Sequence, residues 1–153
     1  MSRERIELNY IDELDSVSSK LKDISVQAYL SLHGSFQGIV RASYSEIPGL
    51  FKELVRARDR CFLYRLSLKR AEVWDDVTLV MCGDTVIAVT GVISGSEVAG
   101  LKTLEELVNN INRGEYSHGV VEIHEIPPRI IEEKLGVKVS VEAKPPPQPQ
   151  PVT

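Results

Sequence analysis

The stretch "CFLYRLSLKRAEVWDDVTLVMCGDTVIAVTGV", residues 61–92, limits the fold more than any other part of the chain. Phe62, Tyr64, Leu66 and Leu68 fall at every second position, which is the two-residue period of a strand. The two runs that follow are almost continuous in aliphatic side chains and belong in the middle of a sheet. Gly83-Asp84 between them has the composition of a tight hairpin, because Gly accepts positive φ and Asp can bond its own backbone. Three strands are therefore expected, over 61–68, 71–81 and 85–92.

Around this core the periodicity changes. Ile6, Tyr10, Ile11, Leu14, Val17, Leu21 and Ile24 recur at spacings of three and four, predicting an amphipathic helix over 6–24. Its stripe suits packing on its own domain, and it also suits a coiled coil, which makes Leu14 and Leu21 candidates for self-association in a homodimer. Val26, Ala28, Leu30 and Leu32 then alternate, and Gly34 and Gly38 interrupt, so two strands joined near Gly34 or one bulged strand are expected. Ser45 reads as the N-cap of a helix with Ile47, Leu50, Phe51, Leu54 and Val55 on its apolar face.

The Gly- and Ser-bearing segment after residue 92 reads as a loop. Thr103 with Glu106 has the spacing of a capping box for a helix that buries Leu104, Leu107, Val108 and Ile111 and stops at Gly114. A strand ends at Pro127-Pro128, a short helix over 128–135 stops at Gly136, and alternating valines suggest an edge strand over 137–141. From Lys144 the sequence "KPPPQPQPVT" reads as an extended, disordered tail, either a spacer or a ligand for an aromatic groove.

The expected organisation is an N-terminal amphipathic helix over 1–25, one domain over 26–143 and the tail over 144–153. The fold class is α/β of the α+β type: a mainly antiparallel sheet of about five to seven strands flanked by two to three helices. At 153 residues with 42% hydrophobic content, one domain can bury a core without staples. The formal charge of −4 provides no global attraction to nucleic acid or anionic lipid. No apolar run approaches the roughly 20 residues of a membrane helix, and the charged start "MSRERIELNYIDELD" is unlike a signal peptide. Cys61 and Cys82 form no CxxC motif and are too few for a disulfide scaffold, which suits separate thiols in a reducing, cytoplasmic setting.

Chemistry-bearing residues are sparse. A catalytic reading of Cys82 with Asp84 requires a base, and no histidine is near it in sequence. His118, Glu122 and His124 share one face of a strand, but His118 to His124 spans about 20 Å, so one strand cannot close a zinc site and a solvated polar face is favoured. Gly91, Gly95 and Gly100 match neither GxxxxGK[ST] nor GxGxxG. Neither a metal nor a cofactor is expected. Lys52, Arg56, Arg58 and Arg60 form a basic helix face, which is either solvated or a docking patch for an acidic protein partner. The alternative use of the region from Arg56 to Arg70 is binding of nucleic acid with Phe62 or Tyr64 as stacking platforms.

The segments "GSFQGIVRASY", "VTLVMCGDTVIAVTGV" and "GLKTLEELVNNINRGEYSHGVVEIHEI" resemble the PATAN domains of bacterial signalling proteins and related uncharacterised domains of archaeal proteins. Gly34, Phe36, Gly38, Val40, Gly83, Asp84, Ile87, Ala88, Gly100, Thr103, Leu104 and Leu107 stand at matching places, over about Leu32 to Ile126. The resemblance implies a non-catalytic regulatory or adaptor domain that works through protein contacts.

Overall fold

The computed structural model describes residues 5–56 and 59–139. Arg58, the end of the expected strand over 137–141 and the proline-rich segment over 144–153 lie outside the described residues. The protein is an α+β domain on a mixed seven-stranded sheet. The strands are β1 (Asn9–Tyr10), β2 (Ser35–Ser43), β3 (Cys61–Arg70), β4 (Val73–Cys82), β5 (Thr85–Ile93), β6 (Ser96–Ala99) and β7 (His118–Ile126). Their order is β1-β5-β4-β3-β7-β2, with β6 also on β5. Only β1 pairs in parallel; the other pairings are antiparallel. The helices are α1 (Leu14–Leu21), α2 (Ile24–His33), α3 (Ile47–Val55), α4 (Leu101–Asn112) and α5 (Pro128–Leu135).

The central strands form two consecutive hairpins as the sequence predicts. Gly83-Asp84 is the two-residue loop of the second, with positive φ (62°) at Gly83. The loop after β5 is Ser94-Gly95, with positive φ at both residues, the pattern of a type I′ turn, and β6 continues from it where a loop was expected.

The alternation of β3 sorts the core. Tyr64, Leu66 and Leu68, with Val77, Leu79 and Val121 beside them, face α3 and α4. Cys61 and Leu63, with Val80, Cys82 and Ile126, face α1, α2 and α5 on the other side. α1 straddles the edge of β5: Leu14 enters the first cluster, Val17 and Leu21 the second. Strand β5 pairs with β1 at one end and β6 at the other. In the gap, buried Ser18 accepts a hydrogen bond from the Val89 N–H at 3.0 Å and the Gly100 N–H donates to the Val89 carbonyl at 3.0 Å.

Several expectations are corrected. The helix over 6–24 is divided: the stripe from Leu14 to Leu21 is α1, but Asn9–Tyr10 is a strand and Asp23 starts a second helix by accepting from Ser25 N–H at 2.9 Å. Residues 26–32, expected as strand, lie in α2. Val26, Tyr29 and Leu30 pack inward at helical spacing while Leu32 is 80% exposed, so the alternation was coincidental. The helix cap belongs to Ser43, not Ser45: Ser43 bonds Glu46 at 2.6 and 3.0 Å around a 3-10 turn that leads into α3. No strand forms over 137–139.

Thr103 caps nothing. It is buried inside α4, and the N-cap is Gly100 at φ 83° and ψ −152°, backbone values nearly confined to glycine. The acceptor comes from α1, where Asp15 Oδ1 takes the Leu101 N–H at 2.8 Å; a Cβ on residue 100 would collide with that oxygen. Asp15→Ala should therefore destabilise the fold by about 1 kcal/mol, the usual value of a lost cap. Gly100→Ala should cost about 2 kcal/mol or more, since it adds backbone strain to the collision. Chemical denaturation of both variants checks the order; equal losses would remove the glycine argument.

Asp75 is fully buried beside these turns. It accepts from Arg70 Nε at 2.7 Å, the Ser94 N–H at 3.0 Å and the Tyr116 hydroxyl at 2.9 Å. Burial alone would raise its pKa, but Arg70, Ser94 and Tyr116 together hold it below the ordinary carboxylate value, while burial raises the Tyr116 hydroxyl. Because the folded value is depressed, this stabilisation is complete above the unfolded pKa of about 3.9 and is lost as pH falls through the folded value. Asp75→Asn should cost about 3 kcal/mol at neutral pH by stranding Arg70, with the gap to wild type narrowing below about pH 4. A gap of the same size at pH 3 and pH 7 would contradict that account.

Candidate functional site

The sheet is largely covered on the face of α3 and α4 and only half covered on the other, where helix length is the reason. β3 has 10 residues, about 33 Å of strand, whereas the 8 residues of α1, 10 of α2 and 8 of α5 give only about 12–15 Å of helix each. These helices cover the end carrying Cys61, Leu63, Val80 and Cys82. The other half of that face stays open.

Register arranges the open half as rungs of directly opposed side chains. The outermost carries Trp74 on β4, Lys69 on β3, His118 on β7 and Ser43 on β2. The next carries Asp76, Ser67, Val120 and Arg41, and the third Thr78, Arg65, Glu122 and Ile39. Two shallow concavities that share Val120 follow these rungs. One, of about 460 Å³, includes Arg41, Lys69, Trp74 and His118; the other, of about 560 Å³, reaches from Ile39 and Arg65 to Ile24 and Gln27 of α2. Trp74 is 47% exposed and Ile39 56%.

The polar groups differ in how they are engaged. Arg65 donates to Ser31 Oγ at 2.9 Å and so ties the sheet to α2. Ser67 donates to Asp76 at 2.9 Å, and His124 Nε2 lies 2.8 Å from Glu122 Oε1. Glu46, at the rim, is held below the ordinary carboxylate value by the Ser43 hydroxyl and then its N–H. The side chains of Arg41 and Lys69 make no hydrogen bond or ion pair with the described residues.

The residues singled out from sequence lie elsewhere. Arg56 pairs with Glu53 and Arg60 with Glu125, each at 3.2 Å, and Lys52 is half-buried with a partner of its own. Leu14 and Leu21 are 2% and 0% exposed inside the domain's own core, so neither is presented to a second copy. Phe62 and Tyr64 stack on each other, centroids 5.6 Å apart, and Tyr64, buried and donating to the Leu54 carbonyl, faces α3. They stand on the opposite face of β3 from Arg65 and Lys69. His118, Glu122 and His124 do share a face, yet no three potential metal ligands gather among the described residues.

Cys61 and Cys82 are corrected most sharply. The β3–β4 register sets them directly opposite, Cα atoms 4.0 Å apart, and they form a disulfide across 21 residues. Separate thiols in a reducing compartment were expected because sequence spacing does not show register. In this state Cys82 has no thiolate for nucleophilic chemistry. No helix of the described residues is long and apolar enough to cross a membrane. Comparison with protein-family models, curated proteins and solved structures gives no match for this chain.

The bond closes a loop whose loss should cost about 3 kcal/mol. Alkylation in denaturant should leave the chain unmodified without reductant and label both cysteines with it, and Cys61→Ala with Cys82→Ala should lower the denaturation midpoint correspondingly. Two labels without reductant would show that the thiols are free.

Proposed function

We propose that the chain is a non-catalytic interaction domain that holds a protein partner on the open half of its sheet. One observation carries this reading: on rigid, register-fixed strands, Trp74 and Ile39 are exposed beside Arg41 and Lys69, two cations with no partner among the described residues. Binding surfaces combine an accessible apolar or aromatic anchor with polar groups that can be satisfied by a partner. The resemblance to PATAN-like regulatory domains supports the same class of role. The basic face of α3 is the second candidate surface, with Arg56 exposed on it, although its pairing with Glu53 leaves less charge to offer.

A photo-crosslinking amino acid placed at Trp74, and separately at Arg56, distinguishes the two surfaces in cells of the source. A protein adduct at position 74 and none at 56 is the expected result. An adduct at 56 alone moves the function to α3, and an adduct with the chain itself makes the partner a second copy. No adduct at either position overturns the interaction reading.

A further inference from the structure

We infer that the partner reaches this face with an extended acidic segment laid across the outer rungs of β2, β7, β3 and β4. The inference rests on the interaction reading above and adds the chemistry of the partner.

Charge is the first ground. The whole chain carries −4, yet the outer rungs bring the two cations Arg41 and Lys69 into one concavity beside a single acid, Glu46. Three carboxylates border that surface and keep their charge, Glu46 bonded to Ser43, Asp76 to Ser67 and Glu122 to His124, and none of them forms an ion pair with Arg41 or Lys69. The positive charge of Arg41 and Lys69 is thus left for a group from outside, and complementary charge governs encounter rate and partner choice more than it governs raw affinity.

Spacing is the second ground. Strands stand about 4.8 Å apart and same-face neighbours along a strand about 6.7 Å apart. Lys69 and Arg41 are separated by two strands and one rung, which puts their Cα atoms about 12 Å apart. An extended chain covers that distance in about four residues, and residues four apart share a face, so two acidic side chains at that separation would meet both cations. Trp74, directly opposite Lys69, then offers its ring to an apolar residue just beyond the first acid.

These features favour a peptide over a nucleic acid. A single-strand binder stacks successive bases on several aromatic rings, and the outer rungs offer only Trp74 and the smaller imidazole of His118, since Phe62 and Tyr64 face α3. The overall negative charge opposes a long polyanion as well.

Trp74 is the only tryptophan in the chain, so its fluorescence reports on the site directly. The probe is a peptide of about ten residues, mostly Thr and Val, with two glutamates about four residues apart and one leucine; its controls are the same peptide with glutamine for glutamate and a thymidine oligonucleotide of about ten nucleotides. At low salt the acidic peptide should shift the Trp74 emission with a Kd of about 1 mM or tighter. Arg41→Glu with Lys69→Glu should weaken it by about tenfold or more, while Lys52→Glu with Arg56→Glu leaves it unchanged. All variants are checked for native circular dichroism and melting.

Binding of the glutamine peptide as tightly as the acidic one, retention of binding in the Arg41/Lys69 variant, no response to the acidic peptide, or a response to the oligonucleotide in its place would each overturn the inference. Should the peptide fail while position 74 still crosslinks to a protein, the docking face stands and only the acidic chemistry falls. Failure of both removes the face itself.

Discussion

The carboxylate of Asp75 is the interaction on which the outer half of the sheet depends. It lies at the far end of the β3–β4 hairpin from the disulfide and receives donors from three separate places in the chain: the end of β3, the β5–β6 turn and the segment between α4 and β7. Such a buried ion pair adds little net stability over an apolar replacement, because desolvation offsets much of the attraction. Its effect is on arrangement. A carboxylate with these partners permits one relative position of the three segments, and Trp74 and Lys69, each adjacent in sequence to a member of the pair, are placed by it.

The two edges of the sheet are treated differently. On the β5 side, β1 and β6 occupy the ends and Ser18 with Gly100 satisfies the groups between them, so little backbone remains to pair. On the other side β2 is a nine-residue edge with Phe36, Ile39 and Val40 exposed, moderated by a register shift between Phe36 and Gly38 and by the charge of Arg41. The open half-face and the open edge meet at β2. A partner approaching that corner finds apolar surface and positive charge together, whereas the corner at β5 is closed by α1.

Much of this fold could be read in the sequence because period and packing agreed. The alternation of Phe62 to Leu68, the aliphatic runs around Gly83-Asp84 and the stripes of α3 and α4 each reported a burial pattern that the structure contains. α2 is hard to see in the sequence because its alternating apolar residues mimic a strand and its cap, Asp23, falls within the apolar stripe that runs on from α1. The cap of α4 was assigned to Thr103 because Asp15, its real acceptor, is 86 residues away. The candidate site is legible only in part: Arg65, Ser67 and Lys69 are the polar complement of the alternation in β3, yet in the sequence Arg65 and Lys69 read as a continuation of the basic run that starts at Lys52. Which strands would stand beside them, and that the helices would stop short, depends on topology.

The hairpin of β3 and β4 is fastened at both ends, by Cys61–Cys82 under the helices and by Arg70–Asp75 at the open end. Between these fastenings lie the rungs that carry Ser67, Asp76, Arg65 and Thr78, and Arg65 is further held by Ser31. A surface fixed in this way loses little conformational freedom when it is occupied, so more of the contact energy appears as affinity. Lys69 and Arg41, whose side chains pair with nothing among the described residues, are the part of this surface that the fold does not pin.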